Sequence, residues 1–188
     1  MKKQKSLSQV WQPSLSCFLL FAFSGCFPIK HSLSTVQYQK AMDLVDQGTL
    51  MLRIDKLDEA QGAFAAAAEI SSIAAAIDGL GCVAFKHGNF NLAEQYFVQA
   101  YEMDSRYTSS LGNLALLYDV NGLSDKAKQL YQMALASEPE NFRTRNNFAV
   151  YLFEKQDLEN VKLELHKSLA LAKHPVVTAN LRRLEEYE

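Results

Sequence analysis

Cysteine, proline, glycine and tryptophan are all scarce in this 188-residue chain, at 3, 4, 8 and 1 residues. Three cysteines cannot make a disulfide framework, and the four histidines, His31, His87, His166 and His174, lack zinc-like spacing. An excess of basic charge is missing too, with 19 Lys and Arg against 21 Asp and Glu, a net charge of −2 and a pI near 6.1. A duplex-binding domain carries a basic stripe or a pI above about 9, so no nucleic-acid partner is expected. Nucleophile elbows, metal-binding helices and Gly-rich phosphate loops are absent, and the acidic residues are spread without a pairing that marks a general base. No catalytic residue, metal or cofactor is therefore expected, and the chain is not expected to be an enzyme. What is present is apolar material: 48% of residues are hydrophobic, enough for a real core and too many for a disordered chain.

The N-terminus has its own pattern. Lys2, Lys3 and Lys5 lead a stretch with no acid before Asp43, followed by the apolar run Leu15–Phe23 and the ending Ser24-Gly25-Cys26. The apolar segment is too short for the roughly 17–25 residues that a membrane-spanning helix needs. A basic start, a short apolar middle and small residues at the end predict a secretory signal peptide over residues 1–25. The Ser24-Gly25-Cys26 ending resembles the lipobox of bacterial lipoproteins, with Phe23 where that motif usually has Leu. The resemblance implies lipidation at Cys26, and acyl chains such as palmitate, at about 0.8 kcal/mol per buried CH₂, make a stable membrane anchor. Phe27 follows, not the Asp that in many diderm bacteria retains such proteins at the inner membrane, so the outer membrane is the expected location, facing the periplasm. A competing cut after Ser24 would release a soluble periplasmic protein. Cleavage before Cys26 leaves 16 basic against 21 acidic residues, a net charge of −5, with Cys82 as the one remaining free thiol. Residues 26–40 read as the lipidated cysteine and a linker, with Pro28, Ser32 and Ser34 and no helical pattern over 27–37.

Beyond residue 40 the chain repeats. Ala60, Ala93, Ala127 and Val161 lie 33 or 34 residues apart; four residues after each comes Phe64, Phe97, Tyr131 or Leu165. Three further on come Ala67, Ala100, Ala134 and Ser168, and twelve before each anchor come Gly48, Gly81, Ala115 and Ala149. A fixed period of this length predicts stacked supersecondary units. The small columns let two helices approach closely and the large residue fills the groove they open. Gly88 and Gly122 permit the turn between helices, where φ is positive. No proline falls from Ile29 to Glu138, and Pro139 sits at a junction where a helix must stop.

These residues resemble the tetratricopeptide repeat, best in Leu114-Ala115-x-x-Tyr118, Gly122, Ala127, Tyr131, Ala134 and Pro139, and next in Leu80-Gly81, Gly88, Ala93, Phe97 and Ala100. Repeats one and four depart from it, with Gln47 where the pattern has Leu and Arg145 where a large apolar residue is usual. The resemblance implies an all-α, right-handed solenoid of about four helix-turn-helix repeats, over 41–73, 74–107, 108–141 and 142–175. Val177, Leu181 and Leu184 at i, i+4 and i+7 predict a capping helix over 176–188.

In such a solenoid the first helices of the repeats line a concave surface. Asn113, Asn147 and Asn180 recur at 34 and 33 residues, and a column of amides can donate to and accept from the backbone of an extended peptide. The same register adds Asp78, Cys82, Phe85, Leu116, Asp119, Arg143, Asn146, Val150 and Phe153 as candidate groove residues. Asn on a helix face also solvates it, and single aromatics there often belong to the core, so both alternatives stay open. Repeats that hold chaperone C-terminal carboxylates use Lys and Asn, then Asn, then Lys and Arg. Asn113 and Arg143 fit that clamp, but Asp78 and Cys82 take its first two places and Asn147 its last. An Asp would repel a ligand carboxylate, so the clamp is not expected.

The expected function is a membrane-anchored scaffold that binds a protein partner or extended peptide segment. The chain is similar to the small tetratricopeptide lipoproteins of pilus and secretion systems, of the pilotin or Tad type, which implies an assembly factor. Arg145-Asn146-Asn147-Phe148-Ala149-Val150 and Thr178-Ala179-Asn180-Leu181 carry that similarity. A docking scaffold for cell-envelope hydrolases or proteases, and a groove for a small ligand or glycan, are the alternatives.

Overall fold

The structure is a computed structural model that describes residues 35–187. The expected signal peptide, the lipidation site Cys26 and the linker up to Ser34 lie outside the described residues. Among the described residues every regular element is an α-helix: α1 Thr35–Arg53, α2 Leu57–Ile70, α3 Ala74–Lys86, α4 Phe90–Met103, α5 Ser109–Val120, α6 Ser124–Ser137, α7 Phe142–Glu154, α8 Leu158–Leu171 and α9 Pro175–Tyr187. None of them is long and apolar enough to cross a membrane. Each helix packs on its neighbours along the chain, and α1, α3, α5 and α7 also touch in sequence as one row. Four hairpins and a last single helix result, the layout the period predicts.

The repeat columns are the core. Ala60, Ala93, Ala127 and Val161 are buried, as are Phe64, Phe97, Tyr131 and Leu165, and then Ala67, Ala100, Ala134 and Ser168. A Cβ added at Gly81 would lie 2.5 Å from the Phe97 ring, so the missing methyl is the space the aromatic fills. Phe64 is held on two sides, since a Cβ at Gly48 or Gly79 would come within 2.9 and 2.3 Å of its ring. Burying one such side chain stabilises by roughly 1.5–3 kcal/mol.

The turns inside the hairpins also keep the period. Gly88 and Gly122 have φ of +75°, and the same turn position in the first and fourth hairpins is taken by Asp55 and Gln156 at +61°. Those two adopt a conformation that glycine takes without strain. Asn89, Asn141 and Asp157 cap α4, α7 and α8, accepting from the backbone N–H of Leu92, Thr144 and Asn160.

Two boundaries move. Residues 35–40, expected to be linker, are the first turns of α1. All six are exposed, so no apolar periodicity marks them. The helix propagates outward from the buried positions Ala41, Val45 and Gly48 at little cost. The capping helix begins at Pro175, one residue early, because proline is well tolerated at a first helical position, where its missing N–H has no partner to lose.

Arg145, the departure from the apolar column, is balanced within the fold. Its guanidinium pairs with Glu164 on α8 and its Nε donates to the carbonyl of Pro139 at 2.7 Å. Lys167 Nζ lies 3.0 Å from the other Glu164 oxygen.

Candidate interaction groove

The row of first helices encloses a groove of about 480 Å³, lined from α1, α3, α5, α7, the start of α9 and the loops before α5, α7 and α9. Asp78 forms part of its floor and is only 5% exposed. Asn113 Nδ2 donates to both Asp78 oxygens at 3.0 Å, and the Tyr107 hydroxyl donates to Oδ2 at 3.2 Å. All of these donors are neutral. Burial pushes the Asp78 carboxyl up to about 6, while the bonds from Asn113 and Tyr107 pull the other way. Burial, with the nearby Asp78 charge adding to it, likewise raises the thiol of Cys82, whose Sγ lies 3.5 Å from Asn113 Nδ2. That thiol is inert as a nucleophile at neutral pH.

Of the residues expected to form the site, Asp78, Asn113 and Asn147 line this groove, with Cys82 and Arg143 from the same register. The others lie elsewhere. Phe85 sits at the end of α3, where the turn brings Phe90 back against it at 5.5 Å between ring centroids, so it packs into the core. Leu116 is half-buried and does not line the groove. Asn146 is buried and accepts from Asn180 Nδ2 at 2.9 Å, which ties α9 to α7. Val150, Phe153 and Asn180 line a separate pocket of about 130 Å³ between α7, α8 and α9. Phe153 meets Tyr187 edge-on at 5.0 Å. Asp119 is held near Lys155 at 3.9 Å.

The continuous column of free amides is therefore not what the geometry provides. Asn113 and Asn180 turn their N–H groups to neighbouring helices, and Asn147 alone of the three lines the groove without a hydrogen-bond partner among the described residues. The sequence reading missed Val45, Thr49 and Arg53 of α1, and the loop residues Tyr107, Asn141 and His174. Val45 lies 33 residues before Asp78, so extending the period backwards reaches it. The loop residues have no periodic signal. Among the described residues no cluster of His, Cys, Asp or Glu could hold a metal ion.

No family model matches the chain, and no curated protein matches it in sequence. Solved structures do match. The pilF protein of Pseudomonas aeruginosa is 22% identical with a TM-score of 0.62, over 79% of this chain and 69% of its own. A tetratricopeptide-repeat protein of Thermus thermophilus is 17% identical at 0.67, over 77% and 80%. YrrB, described as a tetratricopeptide-repeat protein with an unusual peptide-binding site, is 18% identical at 0.52, over 76% and 74%. The fold is a tetratricopeptide-repeat solenoid. At these identities the likeness reaches the fold alone, and the groove residues belong to this chain's own argument.

Proposed function

We propose that this tetratricopeptide solenoid is a lipid-anchored scaffold of the bacterial cell envelope. In this reading it captures an extended segment of a protein partner in the groove along α1, α3, α5, α7 and α9. The observation that carries the reading is the groove itself: about 480 Å³, open along the row of first helices, with Asn147, Thr49 and Ser109 to bond a peptide backbone. The peptide-binding site in the name of YrrB supports the same use of this fold. A glycan is disfavoured, because the two aromatics expected to stack on it are engaged outside the groove: Phe85 packs on Phe90 and Phe153 on Tyr187.

Anchoring rests on the Ser24-Gly25-Cys26 ending, and a role in assembling a pilus or secretion complex on that anchor and on the likeness to pilF. The experiment is crosslinking in cells and affinity capture of the tagged protein from solubilised membranes. Recovery of a pilus or secretion component supports the assembly role. Recovery of hydrolases or proteases keeps the scaffold and replaces that role. Retention of a Cys26→Ala variant on membranes after a carbonate wash refutes the anchor.

A further inference from the structure

We propose that the groove reads a basic side chain, the ammonium of a Lys or the guanidinium of an Arg on the bound segment, which sits against the Asp78 carboxylate. The inference rests on the peptide-capture reading and names the chemistry that gives it selectivity. Asp78 is a groove-lining carboxylate without a counter-ion among the described residues: its donors are the Asn113 amide and the Tyr107 hydroxyl. Those bonds orient it without neutralising it. Oδ2 accepts two of them and Oδ1 only one, so Oδ1 keeps acceptor capacity.

A buried ion held by neutral dipoles is costly, and an incoming cation relieves that cost while gaining a charge-assisted hydrogen bond away from bulk water. Ordinary tight folding gives no reason to put a carboxylate there. Gly112, one period on from Asp78, has no side chain and is closed off by Thr144, whose Oγ1 would lie 2.6 Å from an added Cβ, and Asn146, two periods on, is neutral and bonded to Asn180. Asp78 is therefore the acidic member of its column.

The rest of the groove limits the ligand to one cation at that point. Arg53 on α1 and Arg143 on α7 line the groove, and neither has a carboxylate partner among the described residues; Arg143 rests on the Phe142 ring at 5.3 Å. Two fixed cations repel a polybasic segment, so the preferred ligand carries a single Lys or Arg between neutral or acidic residues.

The test is selection of a phage-displayed library of short random peptides on the immobilised full chain and, in parallel, on its Asp78→Asn variant, each confirmed folded by circular dichroism. The proposal expects Lys or Arg enriched at one position on the wild type and not on the variant. By titration calorimetry, the best peptide should lose about tenfold in affinity when that Lys is replaced by norleucine, with no such loss on the variant. Peptides that bind the groove equally well with norleucine overturn the basic-residue inference and leave peptide capture standing. Enrichment of Glu or Asp instead also overturns it, and assigns the reading to Arg53 and Arg143. If no selected peptide is displaced by Asn147→Ala together with Thr49→Ala, the groove is not the peptide site and both readings fall.

Discussion

Asn113 reaches back one repeat and sets its side-chain nitrogen 3.0 Å from both oxygens of Asp78, so two successive first helices are joined by a polar bond on the floor of the groove. The acid it holds is buried and its ordinary value of 3.8 is pushed up to about 6. Between those two values the folded chain binds a proton that the unfolded chain has released.

Stability from this group is consequently full below about pH 4 and lost as pH rises through about 6. A two-unit rise corresponds to about 3 kcal/mol. Asp78→Asn removes the titration. Urea unfolding of both proteins at pH 4.5 and pH 7.5 should show the variant gaining on the wild type by about 2 kcal/mol over that interval. The Cys82 thiol and Tyr107 phenol that face Asp78 do not titrate in this range, because burial and the nearby acid raise both against the smaller opposing pull of the Arg143 cation, and the Asn113 amide is neutral throughout. Parallel behaviour of the two proteins would mean that the carboxyl ionises there as freely as in water.

The contact of Phe64 with Gly79 makes a second claim. A methyl at Gly79 would lie 2.3 Å from the ring, and the ring cannot retreat freely because Gly48 of α1 closes its other side, where an added Cβ would lie at 2.9 Å. Overpacking of this kind costs about 1–3 kcal/mol, against roughly 1 kcal/mol that Ala gains over Gly in a helix. Gly79→Ala should lower the melting temperature, and adding Phe64→Leu should restore part of it. Gly62→Ala, with nothing within 4 Å, should raise the melting temperature instead.

Arg145 breaks the apolar column yet the fourth repeat forms, because its guanidinium meets Glu164 and both side chains are nearly buried, 13% and 11% exposed. Arg145→Leu strands Glu164 with only the half-exposed Lys167 and should cost about 3 kcal/mol. The double variant Arg145→Leu, Glu164→Leu should recover most of that loss in denaturant unfolding. A double variant as unstable as the single one would show that the pair is not what holds α7 to α8.

The sequence exposed what depends on side-chain volume. The columns through Phe64, Phe97, Tyr131 and Leu165 are a matter of size at a fixed period, and each is buried. Gly88 and Gly122 announced their turns, whereas Gln156 holds the same conformation with nothing in its chemistry to mark it, and Asp55 with only the modest tolerance of Asp for positive φ. The groove was less legible because polar side chains choose partners in three dimensions. Asn113 and Asn180 look identical to Asn147 in the register, yet the first two bond across to Asp78 and Asn146. Asp78 was visible as a groove candidate and as a residue unfit for a carboxylate ligand; its burial, and the Tyr107 that reaches it from a loop, belong to the fold. Phe85 and Phe153 share the helical face of the groove but lie at helix ends, where Phe90 and Tyr187 take them.

That difference between the asparagines is itself testable, since the register treats Asn113 and Asn147 as equal and the geometry does not. Asn113→Ala leaves the Asp78 carboxylate with Tyr107 as its remaining hydrogen-bond donor and should destabilise by about 1–3 kcal/mol at pH 7.5. The loss should shrink at pH 4.5, where Asp78 is protonated and needs the amide less. Asn147→Ala removes an amide that bonds nothing within the described residues and should change stability by no more than about 0.5 kcal/mol at either pH. In the capture of a selected peptide the order reverses in kind: Asn147→Ala should weaken binding while the protein melts as before, because its amide is free for a ligand backbone. Equal melting of the two variants would show that the Asn113–Asp78 bond carries no net stability. Equal capture by Asn147→Ala would leave that side chain a solvated surface group and shift the backbone contacts to Thr49 and Ser109.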